Sequence, residues 1–481
     1  MLDNDAYMAL SQEERKDYHQ KRQSVLEEQA SSRGKHSAFT RKLSIAHKMS
    51  TFDEFFFPYF SDFRGRLYPM PQELTPQGDH IAKGLLQFAK GKAFGTKGLY
   101  WAKVHLANTF GKDKDTFAER VQWADDVINS GELADTVEKP LNNTLWSEAD
   151  EPMTFLAIAK ELVEAYSSDN PEDYVSFLPV ALDGVCNGIQ ILSMLGKDEV
   201  GAEKTNCKSI DQRFDLYSEV ANLVIEKVTA DKDDNEVAGE WFTKLYGNPA
   251  KARKVVKRAV MTTPYGVTPR GISEQLIADR HCHDMESSRM SAAGYMKDCI
   301  QFAMESVNGK AVEIMSYFQE MAEIASYHNV PMNWVTPMGL KVTQSYYCMN
   351  RTRVKTILGE IILWNEDHEM GLDAAKNKLA ASPNVIHSLD AAMLQLTVLK
   401  MSEKGTNDFA MIHDSYGCHA TDIEQLHATL RDAAYDIFSD DFLAEFHNDM
   451  QEQLEGVVLP TVPTQGNYDI TEILTAPYFF S

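Results

Sequence analysis

Residues 177–184 read FLPVALDG and residues 409–417 read FAMIHDSYG, and the way these two stretches are read decides the fold. Each is a short apolar run of strand length that ends at a polar turn, and each delivers an aspartate there, Asp183 and Asp414. The two acids are 231 residues apart in the chain. If the strands are neighbours in one sheet, the carboxylates converge, and hard oxygen ligands of this kind could hold a pair of Mg²⁺ ions roughly 3.5–4 Å apart, as phosphoryl transfer requires. Taken singly, each acid has a plainer reading, with Asp183-Gly184 as a hairpin turn and Asp414 as a helix N-cap. Spacing alone leaves both readings open.

Between the two runs the pattern is dominantly helical. Helical spacing marks residues 81–90, 100–110 and 153–166, and it runs from 191 to 325 with breaks at Asp231–Asn235 and Gly247-Asn248-Pro249. β signals return at residues 333–336 and 341–347. The segment from Ser11 to Met49 reads as helix interrupted at Ser31-Ser32-Arg33-Gly34. The class is α/β in composition and mostly helical.

A basic helix stands out in KARKVVKRAVMTTPYG, residues 251–266. Arg253 and Lys257 are four apart and share a face, an arrangement that suits a polyanion such as a triphosphate, although a charge run is also the ordinary dress of a solvated face. Pro264 cannot donate its amide, so the helix should end or kink just before Tyr265-Gly266 and leave Tyr265 at its mouth. In SPNVIHSLD, residues 382–390, Ser382 could cap a helix with Pro383 in its first turn; His387 and Asp390, three apart, are either an orienting pair or a satisfied pair beneath a core. His281-Cys282-His283 invites a metal, but adjacent side chains rarely point at one ion and no second Cys/His pair has zinc-like spacing.

With 481 residues the chain should form two or three lobes that fold without staples. Forty-seven Lys and Arg against 71 Asp and Glu give a net charge of −24, a sign that taken alone speaks against nucleic-acid binding. The first 50 residues depart from that excess, with nine basic against seven acidic side chains. Six scattered cysteines fit reduced thiols in a cytosol-like compartment, no apolar run approaches a membrane span, and the N-terminus lacks the layout of a secretory signal. The expected address is the cytoplasm. No phosphate-loop, dinucleotide or GxSxG motif is present, which removes the main support for NTPase, dehydrogenase and hydrolase readings.

In order, DFRGRLYP, YWAKVHLAN, LDGVCNGIQ, RKVVKRAVMTTPYG, SPNVIHSLD and IHDSYG resemble the motif series of the single-subunit DNA-directed RNA polymerases of bacteriophages and mitochondria. The resemblance runs from about Arg41 to the C-terminus. It implies a right-hand polymerase with an antiparallel palm sheet and helical fingers: a thumb-like remnant over 1–50, palm over 51–200 and 388–481, fingers over 201–387. It implies that Asp183 and Asp414 hold two Mg²⁺ ions, with the Gly184 carbonyl as a further ligand. Arg253 and Lys257 would hold the incoming triphosphate, and Lys257 could protonate the leaving pyrophosphate. Tyr265, helped by His387, would select ribonucleotides. Lys103 is expected near the nucleotide, Arg66 near the nucleic acid, and the aromatic end Tyr478-Phe479-Phe480 near the site. DNA template, RNA product and ribonucleoside triphosphates are the implied partners.

Members of this family are typically longer, carrying an N-terminal domain and a full thumb. The expectation is therefore either a fragment or, as the preferred reading, one subunit of a split phage polymerase, acting in the cytoplasm of an infected bacterium, whose second polypeptide supplies the missing parts. Two alternatives carry over: a related right-hand DNA polymerase, and a degenerate polymerase-like binding subunit, which should have lost one of Asp183, Lys257 or Asp414.

Overall fold

The computed structural model describes Tyr7 and residues 11–481 apart from Leu358. Most of the N-terminal stretch read above for a secretory signal lies outside the described residues. Helix α1 (Gln12–Met49) is continuous, and the expected interruption at Ser31–Gly34 does not occur. Its C-terminal end is pinned by Lys42, which donates to Asp79 at 2.5 Å, and by a small apolar cluster of Leu74, Ala82 and Leu86 that takes Ile45, Ala46 and Met49.

A short hairpin follows, β1 (Tyr59–Ser61) and β2 (Leu67–Pro69), then α2 (His80–Leu85), shorter than its apolar pattern suggested. Strand β3 (Lys92–Ala93) leads into α3 (Gly95–Phe110), α4 (Phe117–Asn129) and α5 (Pro152–Tyr166). Helix α4 starts where Thr116 and Glu119 cap one another reciprocally, satisfying amides that would otherwise be orphaned. Strand β4 (Val175–Ser176) pairs with β3, and β5 (Pro179–Asp183) enters the central sheet.

After α6 (Asn187–Leu195) the chain is helical through α7 (Leu216–Asp231), α8 (Glu236–Leu245), α9 (Pro249–Thr262), α10 (Pro269–Ala278), α11 (Arg289–Val307) and α12 (Gly309–Tyr327). Helix α9 begins with an Asn248 cap and Pro249 in its first turn. It ends at Thr262, before the single 3₁₀ turn Thr263–Tyr265, as Pro264 dictates.

Hairpin β6 (Met332–Val335) and β7 (Lys341–Gln344) matches the β signals there. A second hairpin, β8 (Met349–Thr356) and β9 (Gly359–Glu366), was not foreseen beyond Tyr347; it stands out from the body with both faces in solvent. Helix α13 (Ala374–Glu403) corrects the reading of Ser382-Pro383: the helix starts nine residues earlier, capped by Asp373, and Pro383 lies inside it. Proline there removes the donor to the Leu379 carbonyl. Tertiary contacts absorb the defect. Gly266 (φ 76°) packs so close that a Cβ would fall 2.7 Å from the Leu379 oxygen, and the Ser382 hydroxyl donates to the Pro264 carbonyl at 3.1 Å.

Strands β10 (Ala410–Ile412) and β11 (Ser415–His419) complete the central sheet, whose order is β10-β11-β5, all antiparallel. Helices α14 (Ile423–Phe438) and α15 (Phe442–Gln453) close the fold, and the last residues return to the sheet, where Phe480 bridges Gly184. One large hydrophobic core runs beneath the sheet and through the helices. All six cysteines are free. Among the described residues no helix is long and apolar enough to cross a membrane. The architecture is thus mostly helical with small antiparallel sheets.

Candidate active site

Strand β5 buries Val180 and Leu182 in the core, and its period of two turns Pro179, Ala181 and Asp183 the other way, into a cleft of about 990 Å³. Strand β11 lies antiparallel beside it, with Ser415 directly opposite Asp183. Asp414 precedes Ser415 in the two-residue turn His413-Asp414, where His413 takes a left-handed φ of 51°. The Gly184 amide donates to the Asp414 carbonyl at 3.0 Å. The two strands read from sequence are therefore neighbours, and their acids stand side by side at the head of one sheet. Asp414, not Asp183, is the hairpin-turn residue, and neither acid caps a helix.

The acids crowd one another. Protein packed around the open Asp183 carboxylate raises its pKa, the Ser415 hydroxyl and Lys83 oppose that, and the charge of Asp414 adds to it. Burial likewise raises Asp414. A pair of neighbouring carboxylates held above their ordinary range, one of them in the wall of the cleft, is a set that a divalent cation would relieve. Among the described residues no cluster of three or more His, Cys, Asp or Glu side chains could hold a metal alone. Two carboxylates are, however, the donor set Mg²⁺ commonly takes when phosphates and water complete its shell.

Two cations of α9 line the same cleft. Arg253 is held by Asp215 at 2.5 Å and lies over the Tyr217 ring, 5.3 Å from its centroid. Burial raises the Asp215 pKa, but Arg253 and the Ser218 hydroxyl outweigh it and hold that carboxyl below its ordinary value. Lys257 is exposed and has no carboxylate within ion-pair distance among the described residues. The fixed cation and the free one thus sit one turn apart.

Tyr265 reaches the site because α6 lets it. A Cβ on Gly188 would lie 2.8 Å from Pro264 Cγ and 3.3 Å from Tyr265 Cζ, so only glycine permits this approach. Burial and the charges of Asp414 and Asp390 raise the Tyr265 pKa, keeping its hydroxyl protonated as a donor. Its ring lies 5.0 Å from that of His387. Burial, then Arg66 and Arg64, push His387 down to about 2. The Arg64 guanidinium donates to His387 Nδ1 at 2.7 Å, and since arginine cannot accept, Nδ1 is the acceptor and the ring proton sits on Nε2. Arg64 is itself fixed by Asp62, at 2.7 Å, and Asn384.

Arg64 is the functional candidate missed in the sequence. The DFRGR motif drew attention to Arg66 instead, whose fork is taken up by Asp390, with Nε donating at 3.0 Å and a second nitrogen closer still. Asp390 is fully buried. Burial raises its pKa and Arg66 opposes this, and the two-pronged geometry is that of an ionised pair. Arg66 therefore acts beneath the site, through Asp390, and His387 and Asp390 have separate partners. Lys103 is not brought to the cleft. His105, Asn108 and Thr109 occupy the cleft side of α3, while Lys103 on the far side pairs with Asp125 at 2.6 Å and lies over Tyr166. The chain end is at the site: the Ser481 amide donates to the Asp183 carbonyl at 3.1 Å, and Phe480 stacks edge-on against Tyr416.

A family model described as DNA-dependent RNA polymerase matches residues 92–459. DNA-directed RNA polymerase 1B, mitochondrial, of Nicotiana tabacum is 34% identical over 448 residues, covering 92% of this chain and 44% of the relative. The Arabidopsis thaliana protein DNA-directed RNA polymerase 2, chloroplastic/mitochondrial, is 34% identical over 447 residues, with the same shares of 92% and 44%. DNA-directed RNA polymerase 3, chloroplastic, of Nicotiana sylvestris is 32% identical over 448 residues, 92% of this chain and 45% of the relative. The chain thus spans a little under half the length of these relatives. They are plant organellar proteins and give no support to a bacteriophage source or an infected bacterial host. They also carry the remainder of their sequence in the same polypeptide, which gives no support to a second subunit.

Proposed function

We propose, on the premise that this chain belongs to the DNA-dependent RNA polymerase family, that it carries the nucleotidyl-transfer site and extends RNA on a DNA template from ribonucleoside triphosphates. The observation that carries this reading is the register of β11 against β5, which sets the Asp414 turn beside Asp183, itself in the lining of a cleft that Lys257 also lines. Asp183 and Asp414, with the Gly184 carbonyl, would hold Mg²⁺. When bound, the metal would lower the pKa of the attacking RNA 3′-hydroxyl and neutralise charge on the leaving oxygens.

The chain's own residues do the rest. Asp183 and Asp414 supply the anionic oxygens at the head of the sheet. Lys257, with no carboxylate within ion-pair distance among the described residues, would meet the triphosphate as a mobile point charge and would give a proton to the departing pyrophosphate oxygen. Arg253, locked by Asp215 and Tyr217, presents its remaining donors in a fixed direction and so orients rather than follows the phosphates. The Tyr265 hydroxyl and the Nε2–H of His387 are adjacent neutral donors, suited to a sugar hydroxyl. On this reading residues 51–200 and 388–481 form the palm and 201–387 the fingers.

The names of the relatives favour RNA over DNA synthesis, and the presence of Asp183 and Lys257 at one cleft, with Asp414 in the turn beside Asp183, disfavours a degenerate binding subunit. Extension of an RNA primer on a DNA template with each nucleotide type tests the proposal. Template-dependent addition of ribonucleotides is expected. Preference for deoxyribonucleotides would favour the DNA polymerase reading, and binding without extension would favour the inactive one.

A further inference from the structure

Helix α9 carries cations on two sides. Arg253 and Lys257 face the cleft, whereas Lys251 and Lys254, three apart, share a different face. With Lys244, Arg280, His281 and His283 they line a second hollow of about 460 Å³, open on one side, between α8, α9 and the turn after α10. Two carboxylates also line it, and both are engaged: Asp279 takes Arg258 at 2.6 Å, and Asp284 takes Lys244. Among the described residues Lys251, Lys254 and Arg280 have no carboxylate within ion-pair distance.

Three cations without an ion-paired carboxylate line one hollow, with Lys251 feeling the charge of Asp284, and they do so in a chain of net charge −24 that has carboxylates to spare. Lys251 also stands in the first turn of α9, where the positive end of the helix dipole already disfavours a cation. Arg280 holds a φ of 61° in the turn that closes α10, a position usually left to glycine. Burial and neighbouring cations lower the pKa of His283, so its neutral ring offers a hydrogen bond and no further positive charge at neutral pH. An open wall of ammonium groups suits a repeating polyanion better than one small enclosed ligand.

We propose that this hollow is a second nucleic-acid contact, in which Lys251, Lys254 and Arg280 neutralise backbone phosphates of DNA crossing the outer side of α9. The identity of the ligand rests on the polymerase reading; the catalytic residues play no part in it.

The test compares the chain with its Lys251→Gln/Lys254→Gln/Arg280→Gln variant. DNA affinity is measured by fluorescence anisotropy over a salt series, on a template with long flanking duplex and on a minimal primer–template. On the long template the variant should bind roughly ten- to a hundredfold more weakly near 0.1 M salt, with a salt slope shallower by about two to three. Extension of the minimal primer–template at saturation should be unchanged. A folded variant with unaltered affinity and slope on the long template overturns the proposal, as does ATP alone displacing the long DNA from the wild-type chain at equal phosphate concentration. Single Lys→Gln variants replace the triple one if it misfolds, with a slope change of about one each. Failure of the wild-type chain to extend any primer would defeat the polymerase reading, while the salt slopes would still report on the hollow.

Discussion

The amide of Gly184 donates to the carbonyl of Asp414 across 3.0 Å, so the residue after one candidate metal ligand is hydrogen-bonded to the other. That bond extends the β11–β5 ladder beyond its last strand pair, Ser415 opposite Asp183. The backbone of both acids is thereby fixed by the ladder, so each side chain can be changed without loosening the sheet.

The first expectation follows directly. Asp183→Asn and Asp414→Asn should each lower nucleotide incorporation by about a thousandfold, since several kcal/mol of charge stabilisation are lost. Circular dichroism should be unchanged. Primer-extension kinetics on the folded variants check this.

The same carboxylates set a pH dependence. Their pKa values are raised in the fold, so the fold binds more protons than the unfolded chain, and stability falls as pH rises through the folded-state values. Without metal at neutral pH the crowded charges therefore cost stability. Asp183→Asn should melt higher than the metal-free wild type there, and the difference should vanish below pH about 3.9. Mg²⁺ should raise the wild-type melting temperature and not that of the variant, and chelation should reverse the rise.

Arg253 and Lys257 should separate kinetically. Asp215→Asn frees the Arg253 fork without removing a charge from the cleft, so KM for the triphosphate should rise, roughly tenfold, with kcat little changed. Lys257→Ala should lower kcat as well, by about 10² or more, because a group that acts on the leaving phosphate has been removed.

Sugar choice should depend on a residue that touches no nucleotide. Tyr265→Phe removes one donor and should relax discrimination against deoxyribonucleotides by about tenfold. Arg64→Ala should do the same at one remove, since His387 Nδ1 loses its donor and the ring its fixed tautomer. Removing that cation also raises the His387 pKa from its depressed value, so the Arg64→Ala defect should vary with pH where the wild type is flat. Competition between the two nucleotide types across pH measures both.

Beneath the site, Arg66→Ala should destabilise the fold by about 3–5 kcal/mol, because it strands the buried Asp390 carboxylate. Denaturant unfolding of the variant checks it. Pairing the change with Asp390→Asn should recover part of the loss.

How far the sequence announces this structure depends on where each residue's partners lie. Residues 177–184 and 409–417 were legible because a buried strand ending in a polar turn is a local signal, and α9 stopped where Pro264 requires. Pro383 misled for the same reason in reverse. A proline interior to a helix ordinarily costs about 3 kcal/mol, and the contacts of α13 with the distant Gly266 and Pro264 are not legible from the local sequence. Strands β8 and β9 went unread because both their faces meet solvent, leaving no alternation to detect. Arg64 was illegible because its partner lies 323 residues away, and Lys103 was misplaced because motif position does not say which side of a helix a side chain takes.

The central claim is that Asp183 and Asp414 share divalent cations, and iron-directed cleavage reads it most directly. With Fe²⁺ in place of Mg²⁺ and ascorbate present, radicals released at the bound metal cut the nearest backbone. The account predicts two cuts, one near residue 183 and one near residue 414, both suppressed by excess Mg²⁺ and both lost in Asp183→Asn. Cutting at one stretch without the other, or cuts that Mg²⁺ does not suppress, would contradict it.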